Sequence, residues 1–304
     1  MTPPLTGPTS HIYYSQRLRL HYVGWGNENA PPLLLVHGNR DHCRNWDWIA
    51  EALRGEYHVI APDLRGHGDS QWVIGGTYSL VDYVYDIAQL IHQKQLAPLT
   101  VIGHSLGGHI AMQYAGMSPE AVRKLISIEG FGPPVAWIAA RATHTVAKRM
   151  QDWVLQLRDL AGRVPRKYTN IEEAVQRMRD ANAFLSEEQA RHLTIHGMSQ
   201  NEDGTYSWKF DNYVRAHSPY VFNEAEMAEL WGNIACPTLL IRGKQSWAGD
   251  PSQDGRAGYL KQVELVAIDK GSVDEWWLWL LVLVIFLALG LTLYLIVRRR
   301  PATP

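Results

Sequence analysis

Gly103-His104-Ser105-Leu106-Gly107 sets a serine between two glycines in the spacing G-x-S-x-G, and Gly108 follows. The residues before it, 99–103, are a short apolar run of strand type, and 107–117 read as a helix. A serine on so tight a strand-to-helix turn needs small neighbours. Gly103 and Gly107 leave that room, and Gly108 lets the helix lie close to the sheet. The Ser105 hydroxyl then projects beyond the strand ends, beside a helix N-terminus whose dipole favours developing negative charge. That arrangement suits nucleophilic attack on a carbonyl carbon. A second glycine motif, His37-Gly38-Asn39, ends the apolar run 32–37. The backbone N–H of Asn39, together with that of Leu106, is expected to hold the oxyanion of a tetrahedral intermediate. Each such donor is worth ~10²–10³ in rate. His37 itself is expected to order the loop rather than to titrate.

These residues need a rigid frame. The continuous apolar run at 32–37 has the composition of a strand buried on both faces, and 57–62, 99–103 and 123–128 read as further strands. Helical spacing separates them at 46–53, 80–96 and 107–117. The stretch 17–22 alternates polar and apolar residues and predicts an edge strand. Strands alternating with helices imply parallel βαβ units and a doubly wound, mostly parallel α/β sheet. The alternation stops at 133 and resumes with strand patterns at 236–241 and 263–268. Between them lie helical segments at 146–160 and 171–184 and a polar hairpin at 201–210 with an Asp203-Gly204 turn. The expected organisation is a core in two parts, 1–132 and 226–270, with a helical lid at 133–225 over the sheet's C-terminal edge, where such sheets bind ligands.

A third block, Asp63-Leu64-Arg65-Gly66-His67-Gly68-Asp69-Ser70, follows the strand at 57–62. With the two glycine motifs, in this order and spacing, it resembles the α/β-hydrolase fold family in its lidded serine-hydrolase branch, over residues from about 15 to 269. The resemblance implies hydrolysis of an ester or related acyl bond through an acyl-enzyme on Ser105. It also implies an acid and a histidine base. The acid commonly follows the strand ending near Gly243, where Ser246 stands in the usual place and Asp250 and Asp254 lie further on. Some branches carry it one strand earlier, and Glu129 ends the run 123–128. Glu129 is the favoured acid and Asp250 the alternative. The base belongs after the last strand, yet no histidine occurs beyond His217. His42, His67 and His109 lie near the sheet's active edge in sequence, and each is more readily a hydrogen-bonding residue than a base. His192 and His196 are four apart on a helix, but no Glu fills an H-E-x-x-H pattern and no third ligand is in view, so no metal is expected. No cofactor is expected either. Activity is expected to be slow or lost.

Composition bounds the remaining readings. Hydrophobic residues make up 46% and charged residues 19% of 304, enough for an ordinary core. A net charge of −1 argues against a nucleic-acid partner, and Cys43 and Cys236 are too few for a disulfide framework or a thiolate metal site. The expected partners are a small-molecule acyl substrate and a membrane. Residues 276–297 carry no charge, open with Trp276, Trp277 and Trp279, and are followed by Arg298, Arg299 and Arg300. At ~1.5 Å per residue that run is roughly 33 Å long, close to the ~30 Å hydrocarbon core of a bilayer. It predicts a single-pass C-terminal transmembrane helix. The first ten residues show no secretory signal, which favours a cytoplasmic soluble part, whereas the arginine cluster alone would favour the opposite side.

Overall fold

The computed structural model describes residues 7–183, 185–246 and 249–268. The span at 276–297 lies outside them, and among the described residues no helix is long and apolar enough to cross a membrane. In chain order the elements are β1 (Thr9–Ser15), β2 (Leu18–Trp25), β3 (Pro32–Val36), α1 (Asp47–Leu53), β4 (His58–Pro62), α2 (Leu80–Gln93), β5 (Leu99–His104), α3 (Leu106–Met117) and β6 (Val122–Ile128). Then follow α4 (Val135–Ala142), α5 (Val146–Ala161), α6 (Ile171–Ala181), α7 (Glu187–Gly197), the short strands β7 (Met198–Gln200) and β8 (Tyr206–Trp208), α8 (Glu224–Gly232), β9 (Thr238–Gly243) and β10 (Val263–Ile268). Eight strands form one sheet in the order β1-β2-β4-β3-β5-β6-β9-β10. The β3, β4, β5, β6, β9 and β10 pairings are all parallel, whereas β2 joins both neighbours antiparallel.

The apolar strand runs follow from the two covered faces. Along β3, Leu34 and Val36 pack with Ile87 and Leu90 of α2 and Ile110 and Ala111 of α3. Leu33 and Leu35 face the other way, toward Trp46, Ile49 and Leu53. Alternate residues thus serve opposite cores, so no polar position interrupts the run. The stretch expected as an edge strand is a correction: β2 lies one place inside, and the edge is β1, which the sequence reading did not find. In β1 only Tyr13 and Ser15 are buried, and its polar-rich TSHIYYS sequence has no apolar run to mark it. Helix α8 begins at Glu224 and packs against α3.

One buried ion pair fastens a loop to the helical layer. Arg65, after β4, donates from Nε to Asp86 Oδ2 (2.6 Å) and from Nη2 to Asp86 Oδ1 (2.7 Å) on α2. Arg65 is 2% exposed and Asp86 0%. The second bond from Nη2 goes to Gln16 Oε1 at 2.9 Å, which ties in the β1–β2 turn.

The insertion between β6 and β9 is anchored to loops at the C-terminal ends of β3 and β4. His42 Nε2 contacts the Leu193 carbonyl (3.0 Å), Asn39 Nδ2 donates to the Val214 carbonyl (3.5 Å), and the Asp211 N–H donates to the Gly66 carbonyl (2.9 Å).

Candidate active site

The parallel strands deliver the chemistry-bearing residues to one sheet edge. Val36 of β3 is level with Gly103 of β5, His104 with Ile128 of β6, and Ile128 with Ile241 of β9. The residues that follow these ends are therefore neighbours: His37–Asn39, Ser105, Glu129 and the loop beyond Gly243.

Ser105 caps α3 with φ 50° and ψ −116°. A side-chain-bearing residue in such a conformation costs about 1–3 kcal/mol and persists only when the surroundings over-determine it. They do so here. The Ser105 N–H donates to the Ile128 carbonyl (2.8 Å), and its carbonyl accepts from the His109 N–H (3.0 Å). A Cβ at Gly103 would overlap the carbonyl of Gly107, and one at Gly107 would overlap the carbonyl oxygen of Val36. The first turn of α3 thus rests directly on the backbone at the end of β3. That contact sets the start of α3 against Val36 and His37, just ahead of Gly38 and Asn39. Neither the Leu106 N–H nor the Asn39 N–H donates to another backbone carbonyl among the described residues.

Glu129 also has positive φ, 51°. Its N–H donates to the Ile241 carbonyl (2.8 Å), its side chain is buried, and Oε1 accepts from the Gly243 N–H (3.0 Å). The carboxylate is therefore oriented by β9. Asp250 is engaged elsewhere: Oδ2 pairs with Arg242 Nη1 (2.6 Å), and Oδ1 accepts from the Ser252 N–H (3.0 Å) and hydroxyl (2.6 Å).

None of the histidines weighed as a base is hydrogen-bonded to the Ser105 hydroxyl. His37 accepts from the Leu64 N–H at Nε2 (3.0 Å), so its Nδ1 carries the proton directed at the Gly38 carbonyl (2.7 Å). It ties the loop after β3 to the loop after β4. His67 meets the Arg65 carbonyl with Nδ1 (3.0 Å) and the Asn39 side chain with Nε2 (3.2 Å). His42 is held by Leu193, and its Nδ1 is buried without a partner, as is Nε2 of His109. His109 faces Gly132 on the loop after β6: a Cβ there would lie 3.1 Å from Nε2.

The sequence reading overlooked Arg256. It is 0% exposed, pairs with Asp254, and donates from Nη1 to the Phe131 carbonyl (2.7 Å), holding the same loop from the β9–β10 connection. Nothing local marks it except the acid two residues earlier; its main partner is 125 positions away.

Burial pulls His37 and His42 below the ordinary imidazole value. Burial, with His37 nearby, brings His67 down to about 3, and burial with the Arg256 charge brings His109 down to about 4. A base with a depressed folded pKa binds its proton more readily in the unfolded chain. Its contribution to stability is then intact above ~6.5 and is lost as pH falls toward the folded value. We expect urea unfolding to show a loss of at least ~2 kcal/mol between pH 7 and pH 5, before carboxylates titrate appreciably. A flat profile over that interval would contradict the neutral, buried state of these rings.

Residues 31–271 match the family model for the alpha/beta hydrolase fold. The chain belongs to the alpha/beta hydrolase fold family. Among curated relatives, a probable serine hydrolase of Drosophila melanogaster is 28% identical over 72% of the chain and 66% of its own length. A 3-hydroxybutyrate-oligomer hydrolase of Cupriavidus necator is 28% identical over 75% of the chain and 77% of its own length. The chain thus spans about two thirds of the length of the first relatives it matches. Among solved structures, a thioesterase domain from the curacin biosynthetic pathway superposes with a TM-score of 0.78 at 22% identity, covering 92% of this chain and all of that one. At that identity the likeness concerns the fold.

Proposed function

We propose that this chain is a serine hydrolase of carboxylic esters or related acyl bonds, acting through an acyl-enzyme on Ser105. The observation that carries the reading is the strained serine at the β5–α3 turn, packed by Gly107 against the end of β3. The names of the fly and Cupriavidus relatives agree with it. In this reading the Ser105 oxygen attacks the acyl carbon and its proton leaves to a base. The oxyanion is held by the N–H groups of Leu106 and Asn39, and its collapse expels the alkoxide. Water then cleaves the acyl-serine. Glu129 is the acid that would orient a histidine, since Asp250 is committed to Arg242. The helices between β6 and β9 act as the lid that shapes the acyl pocket for a small-molecule substrate.

The weak link is the base. No histidine occurs in residues 218–304. Removing a triad member leaves only ~10³–10⁴-fold catalysis over water. Turnover is accordingly slow. That same absence favours a second reading, a pseudoenzyme or a chain whose site was disrupted by the apolar segment 276–297, which keeps the pocket as a binding module. A fluorophosphonate probe separates them. The hydrolase reading expects slow labelling of the intact chain and none of Ser105→Ala. Equal, background labelling of both supports the second.

The uncharged run 276–297 is proposed to anchor the protein in a membrane as a single pass with its soluble part cytoplasmic. Carbonate-washed membranes should retain the full chain in the pellet. Its release into the supernatant would remove the anchor from the proposal.

A further inference from the structure

The histidines spaced four apart on α7 have a third companion on the core. His192 and His196 face Asp47, the first residue of α1, and one ligating atom from each of the three lies within 4.8 Å of the others. His192 Nε2 is 3.0 Å from Asp47 Oδ2 yet is not aligned for a hydrogen bond, and Asp47 Oδ1 is buried with no partner. Two atoms that share an ion at ~2.0–2.2 Å stand roughly 3.0–3.5 Å apart, which is the separation of Nε2 and Oδ2. The two imidazole rings are 4.6 Å apart between centroids, and the Trp48 ring, 4.7 Å from His192, closes one side.

We propose that Asp47, His192 and His196 form a binding site for a divalent transition-metal ion such as Zn²⁺ or Co²⁺, clamping α7 of the insertion to α1 of the core. Two imidazoles and one carboxylate are a donor set suited to these ions. Arg44 places a positive charge beside the cluster. Its Nε donates to Asp47 Oδ2 (2.6 Å), and its Nη1 lies 3.3 Å from His196 Nδ1. With its side chain 24% exposed, the guanidinium can withdraw from His196 toward solvent as the ion enters. A cavity of about 120 Å³ reaches His196 and Arg44, and His21, Cys43 and Asp63 also line it. In the second His/Cys/Asp group, His21–Cys43–Asp63, both carboxylate oxygens are already engaged. Asp63 Oδ1 accepts from the Cys43 N–H (2.7 Å), and Oδ2 is occupied by His21 Nδ1 (2.7 Å) and the Asp69 N–H (2.9 Å).

The test is a Co²⁺ titration of the full chain in detergent, followed by its visible d–d absorption, with Zn²⁺ as competitor. The expected result is one tight equivalent. His192→Ala, which changes a partly exposed side chain, and Asp47→Asn should each weaken binding at least ~tenfold, a cost of ~1.4 kcal/mol. Arg44→Gln removes the competing cation and should tighten binding at least ~threefold, again well within measurable range. Zn²⁺ should raise the melting temperature of the intact chain and leave that of His192→Ala unmoved. Absence of binding in both the intact chain and Arg44→Gln overturns the proposal. So does binding that Asp47→Asn and His192→Ala leave unchanged in protein whose circular dichroism is native. None of these readouts depends on hydrolytic activity.

Discussion

Ser272→His is expected to raise p-nitrophenyl acetate turnover by at least ~10²-fold, the lower range for a positioned general acid–base. The substitution follows β10, whose last residue, Ile268, is level with Gly243 at the edge that carries Ser105 and Glu129. On the proposed reading, the other parts that such a base works with lie at this edge. The serine is strained into its elbow, the Leu106 and Asn39 N–H groups donate to no backbone carbonyl among the described residues, and Glu129 Oε1 accepts from the Gly243 N–H. A gain of that size lowers the barrier by ~2.7 kcal/mol. It should vanish in Ser272→His combined with Ser105→Ala. If the single variant stays at background while remaining folded, the site lacks more than its base, and the binding-module reading gains.

Asp86→Ala should be the most destabilising single change named here. It strands the Arg65 guanidinium at 2% exposure, with Asp82 at 3.3 Å as its remaining acid among the described residues. Breaking one side of a buried pair costs about 3–5 kcal/mol, because the other charge is left uncompensated. For a domain of this size that corresponds to a melting temperature lower by on the order of 10 °C. Differential scanning fluorimetry decides the matter. A fall of less than ~2 °C would mean that the pair contributes little beyond what water and Asp82 replace. The double change Arg65→Met with Asp86→Leu should recover much of the loss, since an apolar pair of similar volume leaves no charge behind.

How much of this was legible beforehand depended on the range of the signal. Strands β3 to β6 are apolar runs because both faces are covered, so composition alone located them within a few residues. The elbow was equally plain, because its constraint is local: glycines within three positions of Ser105. Strand β1 escaped because an edge strand with one covered face needs few apolar residues. What the acid contacts was also out of reach. Glu129 and Gly243 are 114 residues apart and meet only through the register of β6 on β9. Asp47 as a companion to His192 lay similarly far off, on a different helix of a different layer.

That same β6–β9 pairing has a consequence for biosynthesis. Ile128 leaves the ribosome 110 residues before Thr238, the first residue of its neighbour. At ~5–20 residues per second, the delay is on the order of 10 s. Throughout it, the nascent half-sheet carries an unsatisfied apolar border, Leu125 to Ile128, and the Glu129 carboxylate has no amide to receive. A half-sheet of strands 1 to 6 formed during that interval would present this open border to other chains.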